Sequence, residues 1–132
     1  MTLVDTNVLL DLVTDDPQWA AWSISQLERA ELVGPLRIND VIYAELSVRF
    51  ATIEAVEHFA AAARLSILPT PRAALFLAAK AFQRYRSAGG TRTGVLPDFF
   101  IGAHAVVADI TLLTRDPQRY RTYFPRIRLI AP

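Results

Sequence analysis

Four acidic residues carry the chemistry this chain offers. Asp5 directly follows the apolar run Leu3-Val4, Asp98 follows Pro97 at the head of the apolar segment Phe99 to Ala108, and Asp116 precedes Pro117 after Leu112-Leu113-Thr114-Arg115. Taken singly, each aspartate reads as a helix cap, because aspartate is a favoured N-cap and proline a favoured first helical residue. Glu45 has no such explanation. It lies in Val41-Ile42-Tyr43-Ala44-Glu45-Leu46-Ser47-Val48, with Val41 and Ile42 one helical turn before it and Val48 one turn after. That apolar face is expected to point inward, and an inward carboxylate needs a cation or a proton. Arg49, four residues on, is one candidate partner. A divalent metal is the other.

Gathered together, the three aspartates and Glu45 make an acidic pocket. Two such charges about 5 Å apart repel by roughly 3 kcal/mol at an effective dielectric of about 20. Mg²⁺ or Mn²⁺ suits a pocket of this kind, since both are hard cations that take oxygen ligands and keep waters. The chemistry implied is activation of a water and stabilisation of the leaving oxygen of a phosphodiester. Thr6 and Asn7 either begin the first helix or orient Asp5 from behind, and Thr114, two residues before Asp116, stands in the same position.

No other constellation competes. There is no cysteine, and the histidines are only His58 and His104. This excludes a disulfide scaffold, a thiolate zinc site and a thiol nucleophile. His104, within Phe99-Phe100-Ile101-Gly102-Ala103-His104-Ala105, is expected to be a hydrogen-bonded core residue. Gly89 and Gly94 have P-loop spacing, but Val95-Leu96 stands where Lys and Ser/Thr are required, so no nucleotide cofactor is expected. Trp19 and Trp22 read first as core packing and second as a partner-binding face.

The elements that must position these residues are short apolar runs alternating with helical patterns. The sequence predicts strands at residues 2–4, 36–38, 65–68, 110–114 and 127–130. Between them it predicts helices over residues 8–13, from Asp15-Asp16-Pro17 to Val33, from Asn39 or Asp40 to about Phe50, from Thr52 to Arg64, from Arg72 to about Ala88, from Pro97-Asp98 to Ala108, and a short one after Asp116-Pro117. Such alternation means a three-layer α/β/α fold with a short, mainly parallel sheet of about five strands, both faces covered. In these sheets ligands gather beyond the carboxyl ends of the strands.

With 132 residues, 52% of them hydrophobic and 20% charged, the chain reads as one domain over 1–132, neither a disordered tail nor a solvating acidic segment. It shows no signal peptide, and its apolar run 99–108 is too short to span a bilayer, so a cytoplasmic protein is expected. The net charge of +1 hides an asymmetry: residues 1–63 carry −7 and residues 64–132 carry +8. Thirteen of the fourteen basic residues are arginine, whose planar fork suits phosphate. Either genomic composition or a polyanionic partner explains this bias. Arg84, Arg86, Arg92 and Arg115 are the candidates for contact with a phosphate backbone.

Four segments in order resemble the PIN-domain ribonucleases that are the toxin half of VapBC-type bacterial toxin–antitoxin pairs. They are Leu3-Val4-Asp5-Thr6-Asn7-Val8-Leu9-Leu10-Asp11, Tyr43-Ala44-Glu45-Leu46, Leu96-Pro97-Asp98-Phe99-Phe100-Ile101-Gly102-Ala103-His104-Ala105 and Leu112-Leu113-Thr114-Arg115-Asp116-Pro117. The tail Arg119-Tyr120-Arg121-Thr122-Tyr123-Phe124-Pro125 extends the resemblance over essentially the whole chain. It implies that Asp5, Glu45, Asp98 and Asp116 are an acidic quartet. It further implies an Mg²⁺- or Mn²⁺-dependent endoribonuclease leaving 5′-phosphate and 3′-hydroxyl ends, usually a homodimer. An antitoxin that wraps the toxin and places a basic side chain in the pocket is also implied. Some relatives carry a further acid shortly after the fourth, where this chain has Gln118, Arg119 and Tyr120, so the resemblance implies a second metal that binds weakly or only with substrate.

Two other classes remain open on the residues. A non-catalytic domain of the same fold would use the pocket to hold a partner's arginine. A small receiver or phosphoryl-transfer domain also gathers acids at strand ends, but it resembles families with a lysine after a late strand, and Lys80 falls within a predicted helix.

Overall fold

The computed structural model describes all residues from Met1 to Pro132. Strands β1 (Thr2–Val4), β2 (Leu36–Ile38), β3 (Leu65–Ile67), β4 (Thr111–Leu113) and β5 (Leu129–Ile130) form one sheet in the order β3-β2-β1-β4-β5. Every neighbouring pair is parallel, with Thr2 of β1 opposite Leu36 on one side and Thr111 on the other. Seven helices flank the sheet: α1 (Thr6–Val13), α2 (Ala20–Val33), α3 (Asp40–Ser47), α4 (Ile53–Ala62), α5 (Arg72–Ser87), α6 (Leu96–Val107) and α7 (Gln118–Tyr123). Leu3 and Val4 are fully buried, as a central strand covered on both faces requires.

The strand order locates a crevice. From β1 the chain moves outward through β2 to β3, then returns to the other side of β1 for β4 and β5. The reversal falls between β1 and β4, and parallel sheets bind ligands beyond the carboxyl ends of the strands at such a switch point. Asp5 and Thr114 are the residues that leave β1 and β4 there.

Local chemistry explains most helix starts. The Asn39 side chain accepts from the Ile42 amide at 2.9 Å, and the Thr52 hydroxyl accepts from the Ala55 amide at 3.2 Å. Four boundaries differ from expectation. Asp16 does accept from the Gln18 and Trp19 amides, at 2.8 and 2.9 Å, but these bonds close a turn, and regular helix begins only at Ala20. Helix α3 stops at Ser47, which leaves Val48 largely exposed instead of inward. Asp116 caps nothing: α7 begins after Pro117 with no side-chain cap, and Asp98 lies within the first turn of α6, not at its cap.

The core runs from β1, β2 and β4 into α5 and α6. Ala74, Ala78 and Ala81 recur along one face of α5 and are fully buried, so α6 approaches closely. Helix α7 presses onto α6 at Gly102, where an added Cβ would stand 2.6 Å from the Phe124 ring and 3.0 Å from the Tyr120 ring. Alanine gains about 1 kcal/mol of helix propensity over glycine, but overpacking a filled core costs about 1–3 kcal/mol. Gly102→Ala is therefore expected to lower stability by about 1 kcal/mol in urea unfolding, the overpacking cost outweighing the gain in propensity.

Candidate active site

Asp5 is 4% exposed, and no cation touches it. Its Oδ1 accepts from the Thr6 amide at 2.7 Å. Its Oδ2 accepts from the Thr114 hydroxyl at 2.8 Å, the Tyr120 hydroxyl at 2.8 Å and the Asn7 amide at 3.4 Å. Asn7 also donates to Thr114 Oγ1 at 3.3 Å, and its own oxygen accepts from the Arg115 amide at 3.1 Å. Thr6, Asn7 and Thr114 therefore stand around the Asp5 carboxylate. Tyr120, 1% exposed, was not singled out from sequence, although a buried tyrosine hydroxyl in a helix facing the core requires a partner.

Glu45 reaches the same place from α3. Its Oε1 accepts from the Thr6 hydroxyl at 2.6 Å, and Arg49 is exposed and unpaired with it. Asp98, from α6, is paired with Arg119 of α7 through Oδ2 and the guanidinium Nη1. Asp116 is exposed and keeps its carboxylate free, while its amide donates to Thr114 Oγ1 at 3.1 Å.

Electrostatics links the four acids through Asp98. Burial first, then the Asp98 charge, pushes Asp5 up to about 7, against the hydrogen bonds of Thr114, Tyr120 and Thr6. Glu45 is raised by burial, opposed by the Thr6 hydroxyl and reinforced by Asp98. Asp98 is raised by burial, opposed by the charge and hydrogen bond of Arg119, and reinforced by Asp116. Tyr120 is pushed well above its ordinary range by burial and by the Asp5 and Asp98 charges, so it remains a donor.

The donor set is chemically right for a hard divalent ion: carboxylate oxygens under mutual repulsion, with hydroxyls behind them. As the side chains stand, however, no three of them gather about one point that could hold an ion. Thr6 holds Glu45, and Arg119 stands against Asp98.

The arginines separate into different roles. Arg115, a phosphate candidate on sequence, is committed to Asp11: Nε and Nη2 donate to its two oxygens at 3.0 Å each. The Ser23 hydroxyl also donates to Asp11 at 2.7 Å, and the Arg115 guanidinium lies 5.4 Å from the Trp19 ring. Trp19 and Trp22 meet edge to face at 5.9 Å. Arg84 and Arg86 lie at the end of α5, where Arg84 reaches the Tyr123 carbonyl at 3.4 Å and Arg86 lies over Phe82. Arg92 lines a cleft of about 360 Å³ with Asp116, Gln118, Arg119, Thr122 and Tyr123, beside the acids. His104 is a buried core residue, as expected. The Asn39 amide donates to its Nδ1 at 3.1 Å, and burial holds it below its ordinary range, so it is neutral.

A fold with four carboxylates at the switch point of a parallel sheet has a family. The PIN domain model matches residues 2–125, and the chain belongs to the PIN-domain family. Solved structures share the fold at low identity. VapBC2 from Rickettsia felis, bound to a DNA fragment from their promoter, matches with a TM-score of 0.75 at 18% identity, over 99% of this chain and 98% of that one. FitAcB from Neisseria gonorrhoeae matches with a TM-score of 0.69 at 21% identity, over 98% and 96%. DNA-bound VapBC from Salmonella typhimurium matches with a TM-score of 0.70 at 18% identity, over 98% and 96%. No curated protein sequence matches the chain.

Two outcomes follow from this geometry. Removing Arg115 leaves Asp11 buried with a single hydroxyl donor, so Arg115→Ala is expected to cost about 3–5 kcal/mol in thermal or urea unfolding. The second concerns pH. Asp5 titrates near 3.8 in the unfolded chain and near 7 in the folded one, so the folded chain holds the extra proton between those values. The stability from that proton is complete below the unfolded value and is lost as pH rises through the folded one. Glu45 and Asp98 shift in the same direction. The thermal midpoint of metal-free protein in EDTA is therefore expected to fall between about pH 4 and pH 7, where the folded chain holds the extra proton and the unfolded chain does not. A midpoint that climbs across that window contradicts the assignment.

Proposed function

We propose that the chain is a metal-dependent endoribonuclease, the toxin component of a type II toxin–antitoxin pair, with Asp5, Glu45, Asp98 and Asp116 as its Mg²⁺ or Mn²⁺ ligands. The observation that carries this reading is the linkage of three acids at one end of a PIN fold: Thr6 bonds both Asp5 and Glu45, and the neighbours Arg119 and Tyr120 bond Asp98 and Asp5, with Asp116 at the end of β4 beside them. No helix of the chain is long and apolar enough to cross a membrane, in keeping with a cytoplasmic RNA substrate.

A bound divalent ion would lower the pKa of a water and stabilise charge on the leaving oxygen. The chain's own residues do the rest. Thr6, Asn7, Thr114 and Tyr120 fix the Asp5 carboxylate in one orientation. Asp116, whose carboxylate is exposed while its amide is held by Thr114, would hold the attacking water. The water oxygen bonds to phosphorus in line as the bond to the 3′ oxygen breaks, leaving a 5′-phosphate and a 3′-hydroxyl. Arg84, Arg86 and Arg92 offer positive charge to the strand beside the pocket.

The VapBC and FitAcB structures support an antitoxin partner for this chain; the homodimer is part of the proposal. The second reading, a non-catalytic domain whose pocket holds a partner's basic side chain, draws on one observation: an arginine of this chain already sits on Asp98.

Cleavage of total RNA by purified protein decides between them. Discrete fragments are expected with Mg²⁺ or Mn²⁺ and none with EDTA. Asp5→Asn and Asp98→Asn are each expected to lower the rate by more than about a hundredfold, since even groups that only support a metal ligand cost ten- to a hundredfold. Cleavage that persists in EDTA or in both variants rejects the assigned pocket. Absence of cleavage from every preparation, once any copurifying inhibitor is stripped, favours the second reading.

A further inference from the structure

The pocket has one cation of its own, and it occupies the acid that connects the others. Asp98 is the carboxylate whose charge raises both Asp5 and Glu45, and it is in turn raised by Asp116. Arg119 is its only ion-pair partner. Arg115 does not share this duty, because its guanidinium is paired with Asp11 through Nε and Nη2.

The backbone of Arg119 is anchored while its side chain has somewhere to go. Next to it, Tyr120 is buried with its hydroxyl on Asp5, and α7 is packed against Gly102 of α6. The Arg119 side chain, 21% exposed, lines the cleft of about 360 Å³ that Arg92 and Thr122 also line. A divalent ion drawn to Asp98 would approach a carboxylate that already carries the guanidinium on Oδ2, and the two cations would repel. A guanidinium released there faces Arg92, and a planar fork binds a phosphate by two parallel hydrogen bonds.

We propose that Arg119 is a displaceable counter-ion: it holds Asp98 until a divalent cation takes that carboxylate, and then turns into the adjoining cleft to bind a backbone phosphate of the RNA together with Arg92. The inference rests on the metal-dependent nuclease reading and adds to it a coupling between metal loading and substrate grip.

The test is calorimetric titration of Mn²⁺ alone into metal-free protein, with no RNA present. An opposite charge within a few ångströms changes proton binding to a carboxylate by ten- to a thousandfold, and a metal competes for the same charge. Arg119→Gln is therefore expected to bind Mn²⁺ about tenfold more tightly than the unaltered chain. Arg119→Lys, which keeps the charge, is expected to stay near the unaltered value. At saturating Mn²⁺, Arg119→Gln is expected to raise KM for RNA by about tenfold, the loss of a charged hydrogen bond, with kcat changing less. Circular dichroism and the thermal midpoint establish that each variant is folded. If the unaltered chain binds Mn²⁺ and folded Arg119→Gln binds it no more tightly, or if Arg119→Lys binds it as tightly as Arg119→Gln, displacement is rejected and the nuclease reading stands. An unchanged KM rejects the transfer to phosphate. If neither the unaltered chain nor Arg119→Gln binds Mn²⁺, the metal centre itself is rejected, and this inference with it.

Discussion

A carboxylate buried at the end of the first strand, with no cation against it, is the constraint around which the chain is arranged. Asp5 is tolerated only because donors converge on it: an amide from the helix it starts, a hydroxyl from the end of β4, and a hydroxyl from α7. Those donors exist because β4 lies directly beside β1, although more than a hundred residues separate them in sequence. Helix α7 can reach inward because Gly102 lets its Phe124 and Tyr120 rings rest against α6. Sheet order, a missing methyl group and one tyrosine thus serve a single charge.

Elsewhere the chain gives most of its buried polar side chains a partner, Arg37 Nε and Thr70 Oγ1 being the exceptions. Asp11 has a two-pronged arginine and a serine hydroxyl. His104 is kept neutral against an asparagine whose oxygen caps α3. The acidic pocket alone is left with more negative charge than its own partners balance, since Arg119 answers only Asp98. That imbalance separates a site poised for a cation from a core that is merely satisfied.

Local sequence reported what local forces decide. The strand and helix alternation, a cap at Asn39 or Asp40, the cap at Thr52 and the burial of the core histidine were all legible, because each follows from neighbours within a few residues. The four acids stood out because one of them, Glu45, could not be explained as a cap. The helix limits at Ala20 and Ser47 were less legible. There a turn around Asp16 and an early stop before Val48 override propensity. Arg115 looked like a phosphate contact because nothing in its own segment reveals that Asp11 lies opposite it in space. The Tyr120 hydroxyl was missed for the same reason: its partner is 115 residues away. Residue types can be read from sequence, but a partner across a parallel sheet leaves no spacing to read.

The length of that last contact has a consequence for biosynthesis. At about 5–20 residues per second, roughly 6–23 s pass between the appearance of Asp5 and that of Tyr120 on the ribosome. Throughout that interval the N-terminal strand exists without the two hydroxyls that settle its carboxylate. The growing chain therefore has no finished acidic pocket until Tyr120 has been made, and any activity of the pocket begins only after that residue is in place.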